Sequence, residues 1–146
     1  RVGRMTKVET LDRVVGNLRP DVMKVDIEGA EGLFLKGAQR TLSAHKPSLL
    51  MEINRDMLSV LSKTTPGAIH HQLSELGYRI WNSAQDRLTR MTTPEELDLN
   101  FQVGTVANIL AVHDERAEST NESLQQLGLT LGMAKPKKQR QREVAL

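Results

Sequence analysis

The chain predicts an α/β fold, and three neighbouring segments carry the prediction. Val22-Met23-Lys24-Val25-Asp26-Ile27 is short, apolar and partly β-branched, and it breaks at Gly29, as a buried strand entering a tight turn does. From Ala30 the period changes, with Leu33, Phe34, Ala38 and Leu42 recurring at helical intervals and Glu31 in the first turn, where the helix dipole favours an acid. Pro47 then precedes Leu49-Leu50-Met51-Glu52-Ile53, a second apolar run of strand length. Strand, helix and strand in that order imply parallel pairing through a right-handed crossover.

The flanking elements follow from the same periods. Leu11, Val14, Val15 and Leu18 predict a short helix over Thr10–Leu18, with Thr10 or Asp12 as cap and Pro20 as stop. Pro66 opens a helix carrying Ile69, Leu73 and Leu76, and Gly77 marks its C′ position. Tyr78-Arg79-Ile80-Trp81 reads as a strand, Asn82 to Asn100 as a long polar connection, and Val106 to Val112 as a last strand, antiparallel at one edge of a mixed sheet. Beyond His113 the periodicity fades, so residues 1–114 are expected to form one domain and 115–146 a flexible basic tail, with at most a transient helix from Leu124 to Leu131.

Composition narrows the function classes. The 146 residues carry a formal net charge of +2, and much of the basic excess sits in Lys135, Lys137, Lys138, Arg140 and Arg142, so the body lacks the charge signature of a nucleic-acid-binding domain. The tail has no interleaved aromatics for base stacking, and a solvated tail is the stronger reading of it. With no cysteine there is no disulfide framework, thiolate zinc site or cysteine nucleophile, which fits a reducing compartment and makes the cytoplasm the default. No apolar run approaches the roughly 20 residues of a membrane helix.

The chemistry concentrates in Lys24-Val25-Asp26-Ile27-Glu28-Gly29-Ala30-Glu31. Ligands of open α/β sheets bind outside the carboxyl ends of the strands, which is where Asp26 and Glu28 fall. Such an acidic group is able to hold a cation, orient a hydroxyl-bearing substrate or serve as a general base. The plainer alternative is that Glu31 complements a helix N-terminus and Glu28 caps the turn. Gly29 and Gly37 read as turn and packing devices, since the chain has neither G-x-G-x-x-G nor a Walker pattern. A divalent metal on Asp26 and Glu28 stays open, because two carboxylates fall short of the six or so oxygens a hard cation takes. His70 and His71 read as surface histidines, and Tyr78 and Trp81 as packing residues rather than ligand contacts.

Thr10-Leu11-Asp12, the acidic stretch continued by Leu35-Lys36-Gly37-Ala38, and Lys46-Pro47 before a strand ending in Glu52 together resemble the signature of FkbM-type methyltransferases, over roughly Val8 to Val112. Tyr78 after Gly77, and Asn108 to Val112 as closing strand, resemble that family's last two strands. The resemblance implies a Rossmann-like class I methyltransferase sheet, here strands four to seven with the last antiparallel. It implies methyl transfer from S-adenosyl-L-methionine to a hydroxyl of a sugar, lipid or polyketide-like acceptor. It puts Asp26 at the end of strand four as the acceptor-orienting or proton-accepting group, Glu28 and Glu31 in support, and Glu52 on the substrate at the end of strand five. The family's glycine-bearing first loop and ribose-binding acid belong before Arg1, so this chain alone is expected to bind the donor poorly and not to turn over. The alternative function is a non-catalytic binding or assembly module that uses the scaffold and the basic tail. Loss of half a sheet would also expose an apolar face and an open edge, favouring association.

Overall fold

The computed structural model describes residues 6–84 and 87–132. Its elements, in chain order, are α1 (Leu11–Val14), β1 (Val22–Val25), α2 (Glu31–Gly37), α3 (Gln39–His45), β2 (Ser48–Asn54), α4 (Arg55–Leu61), α5 (Pro66–Glu75), β3 (Tyr78–Ala84), β4 (Arg87–Met91), α6 (Pro94–Asn100), β5 (Val106–His113) and α7 (Ala117–Gln125), with a single 3-10 turn at Asp114–Arg116. Among the described residues the five strands form one mixed sheet in the order β1-β2-β5-β3-β4. β1 and β2 are parallel, joined through α2 and α3 as the strand–helix–strand reading requires. Every other neighbouring pair is antiparallel.

Alternation along the strands sorts side chains into two faces. Met23, Val25, Leu49, Met51, Ile109, Ala111, Ile80 and Met91 share one face through their register. That face packs against Leu35, Leu42, Leu58, Ile69, Leu73, Leu97 and Phe101 from α2 to α6, the main core. The opposite face buries Trp81 and Val112 under Ala117 and Leu131. A groove of about 630 Å³, lined by Leu11, Val14, Ile27, Ala30, Leu33 and Phe34, lies between α1, the end of β1 and α2.

The structure departs from the sequence reading in several places. The helix expected from Ala30 breaks into α2 and α3 at Ala38, whose φ of −121° and ψ of 4° leave the helical region. A helix the sequence did not announce, α4, follows β2 directly, and the Asn54 side chain caps it by accepting the amide of Met57. The stretch from Asn82 to Asn100 is not a bare connection but holds β4 and α6, the latter capped by Thr93. As a result β5 lies inside the sheet between β2 and β3, and β4 takes the edge expected for the last strand. Glu115 to Leu131, expected as tail, contains α7, and Leu131 is buried with its carbonyl accepting from the Trp81 indole at 3.0 Å. The basic run from Lys135 to Arg142 lies outside the described residues. His70 is buried rather than superficial, bonded to the Met91 carbonyl and the Ser74 hydroxyl, whereas His71 is exposed beside Glu75.

Asp12 shows what the Thr10-Leu11-Asp12 segment does. Ala38 offers no side-chain cap to α3, and Asp12 supplies one from a distance: Oδ2 accepts from the Arg40 amide at 3.0 Å and Oδ1 from the Thr41 amide at 2.7 Å. Burial pushes this carboxyl up, but the bonds from Thr41 and Arg40 and the Arg40 charge outweigh it and hold the group below its ordinary value. Asp12→Ala is therefore expected to cost about 1–2 kcal/mol, as a lost helix cap does. A depressed carboxyl contributes its stability above the unfolded value near pH 4 and loses it as pH falls through the folded one. Urea titrations should show the wild-type advantage in full at pH 7 and shrinking below about pH 4; an advantage independent of pH would refute the assignment.

Candidate functional site

β1 and β2 run parallel, so their carboxyl ends meet at one rim of the sheet, and the chain leaves each in a different way. After β1, Glu28 adopts a left-handed φ of 51° and Gly29 follows at 95°. This double reversal carries the chain from strand into α2 within five residues. The turn is locked from beneath: Ser62 at the end of α4 donates its hydroxyl to the Gly29 carbonyl and accepts the Gly32 amide. A Cβ on Gly29 would overlap the backbone carbonyl of Met57 in α4, and one on Gly32 would lie 2.9 Å from the Ser62 Cβ. The glycines of the acidic stretch thus serve backbone conformation and close packing, the role the sequence suggested for Gly29.

The acids separate into two environments. Asp26, Glu28 and Glu52 bring carboxylate oxygens within 4.8 Å of one another at the strand ends. Asp26 and Glu28 are exposed and Glu52 is half-buried. Lys24, one pleat back on the same side, donates to Asp26 Oδ2 at 2.6 Å. Glu31 differs: it is fully buried, Oε1 accepts the Gly29 amide at 3.2 Å, and Oε2 has no partner among the described residues. It braces the turn from inside while the other three face solvent. Glu52 stands beside Asn108 of β5 in register, and Asn108 beside Ser83 of β3, so a row of polar side chains continues from the acids across the sheet.

Three converging carboxylates are a donor set that a hard cation accepts, although they supply about half the oxygens such an ion takes. They equally suit the hydroxyl groups of a polar acceptor, beside which a carboxylate is the type of group that serves as a general base. Tyr78 plays no part here: it begins β3 at the opposite end of the sheet, edge-on to His113, and burial pushes its phenol well above the ordinary range despite the nearby Arg116. The sequence had placed Lys24 in the acidic stretch without giving it a role, and it had not pointed to Ser62 or Asn108 as parts of this region. Only Lys24 carried a signal, its i, i+2 spacing from Asp26 along a strand.

No curated protein and no solved structure matches this chain. A family model does: that of the methyltransferase FkbM domain, over residues 3–80 of the 146, which spans α1, the acidic turn, β2, α4, α5 and the start of β3. With the acidic turn inside the matched region and more than half of the chain's residues covered, the chain belongs to the FkbM methyltransferase domain family.

Proposed function

We propose that this chain forms the acceptor side of an S-adenosyl-L-methionine-dependent O-methyltransferase, with Asp26 positioning the acceptor hydroxyl and taking up its proton. The supporting observation is the convergence of Asp26, Glu28 and Glu52 within 4.8 Å at the carboxyl ends of adjacent parallel strands. The order β1-β2-β5-β3, with β5 reversed, reads as strands four, five, seven and six of the class I sheet.

When bound, the donor supplies an electrophilic methyl on a sulfonium. Displacement at that carbon is in-line, so the protein's task is to hold the acceptor oxygen on the axis and remove a proton. Asp26 carries out the second part and shares the first with Glu52. Glu28 keeps the local field negative, which favours a neutral or cationic acceptor, and Glu31 holds the Gly29 turn that fixes both. The acceptor is a hydroxyl of a sugar, lipid or polyketide-like molecule. The residues of this chain do not provide a glycine-rich cradle for the donor, and we derive no donor contact from them.

The test uses labelled S-adenosyl-L-methionine with a panel of hydroxylated acceptors, comparing this chain alone with the same chain joined to an N-terminal half from the family. Transfer by the joined protein and weak donor binding by the chain alone are expected; a joined, folded protein that binds donor yet methylates no hydroxyl would refute the reading. Glu52→Gln in the joined protein should raise KM for the acceptor roughly tenfold with kcat little changed, the mark of lost uniform binding. A fall in kcat at constant KM would move Glu52 from substrate binding into the chemical step.

A further inference from the structure

The turn that carries Glu28 is held against its own backbone preference. Glu28 has a φ of 51°, a left-handed conformation that residues with a Cβ avoid and that persists only where the surroundings over-determine it. The β1–β2 ladder does not hold it, since the register ends at Val25 opposite Met51, before Asp26 and Glu28 are reached. Nor does α2 cap itself, because Ala30 at its N-cap has no side-chain acceptor for the amides of the first turn.

Ser62 does both jobs. Its buried hydroxyl donates its one proton to the Gly29 carbonyl and accepts the Gly32 amide at 3.2 Å. With Glu31 Oε1 on the Gly29 amide, the peptide planes on both sides of Gly29 are fixed, and with them the backbone that aims Glu28. The same hydroxyl belongs to the other arm of the site. Ser62 closes α4, α4 follows β2 with no intervening residue, and the Arg55 amide at its start donates to the Thr105 carbonyl at the entry to β5. A helix is stiff, so Ser62 passes the position of the Glu52 strand to the Glu28 turn. Two side-chain hydrogen bonds, rather than sheet pairing, bring Glu28 to within 4.8 Å of Asp26 and Glu52.

On the methyltransferase reading, on which this assignment rests, we infer that Ser62 is a positioning residue: it holds Glu28 in the left-handed turn and thereby sets the acids of the acceptor site. The experiment compares Ser62→Ala, which removes one oxygen, with Ser62→Thr, which keeps the hydroxyl, Ser62→Cys, which keeps a weaker donor, and Asp12→Ala, which weakens α3 elsewhere. In the labelled chain, the strong intraresidue amide–Hα NOE of a left-handed Glu28 is expected in wild type, S62T and D12A, and should be lost in S62A. In the joined protein, S62A should lower kcat roughly 10–10²-fold, the scale of a small misplacement of reacting groups, with acceptor KM within about twofold. S62T should restore the rate. S62C, the test that remains if S62A does not fold, should fall between wild type and that loss, and a wild-type rate in it would overturn the inference. So would a Glu28 NOE that survives in S62A, a lost NOE with unchanged kcat, or an equal loss of rate in D12A. A joined wild type that transfers no methyl group would sink the methyltransferase reading and the positioning role with it, and the Glu28 NOE in the chain alone tells that failure from a failure of the clamp.

Discussion

Gly29→Ala is expected to remove a large share of the stability of the chain. The residue sits at φ 95°, and a Cβ there would overlap the Met57 carbonyl carbon and oxygen and lie 2.7 Å from the Met57 Cβ. The left-handed conformation alone costs a residue with a Cβ about 1–2 kcal/mol. Overpacking against backbone that cannot rotate away adds about 1–3 kcal/mol or more, because Met57 lies within α4 and is held by the Asn54 cap. The sum, about 2–5 kcal/mol, is a large share of the roughly 5–15 kcal/mol that holds a domain together. Gly104→Ala separates the two terms: its φ is 80°, but among the described residues nothing beyond its chain neighbours lies within 4 Å of the added methyl, so about 1–2 kcal/mol is expected. Urea denaturation of both variants measures the difference, and equal losses would show that contact with α4 contributes nothing.

Asp26→Asn in the joined methyltransferase is expected to lower kcat by roughly 10²–10⁴, the range of general acid–base contributions. Asn keeps the shape of the side chain and its capacity to accept a hydrogen bond, but it takes no proton. The fold should be indifferent, since the Asp26 side chain is 42% exposed and its pair with Lys24 is a surface ion pair worth about 0–1 kcal/mol. An unchanged melting curve with a collapsed rate, and loss of the acidic limb of the pH–rate profile, would identify the proton acceptor. Normal turnover with an unaltered profile would assign that role elsewhere, with Glu28 the next residue to substitute.

The parts of this fold that were legible in the sequence are those whose side chains meet the main core. β1, the helical residues after Ala30, β2, α5, β3 and β5 all place apolar residues at the period of their element, and that period survives in the sequence because burial demands it. The missed elements bury little. α4 buries only Leu58 and α6 only Leu97 among their helical residues, so neither shows an apolar stripe. Their signals were caps: Asn54 accepts from Met57, and Thr93 from Glu96, with Glu96 reaching back to the Thr92 amide. β4 has one buried residue, Met91, and alternation cannot be seen in a strand that shows water both sides. At the site, the acids were legible as residue types in a run, but the division between an internal brace and solvent-facing carboxylates was not. Glu31 and Glu28 differ by three positions, and the left-handed turn between them decides which one is buried.

Trp81 is the one tryptophan of the chain and is fully buried on the lesser face of the sheet, its indole donating to Leu131 and the Arg90 guanidinium lying 5.6 Å from its ring. The protein therefore carries an optical probe for a single docking event. Indole emission moves to longer wavelength when water replaces an apolar lining, and here that lining is the segment from Ala117 to Leu131. The colour of that emission reports whether this segment is seated, while the main core on the far side of the sheet, which contains no tryptophan, contributes no indole emission to the same measurement.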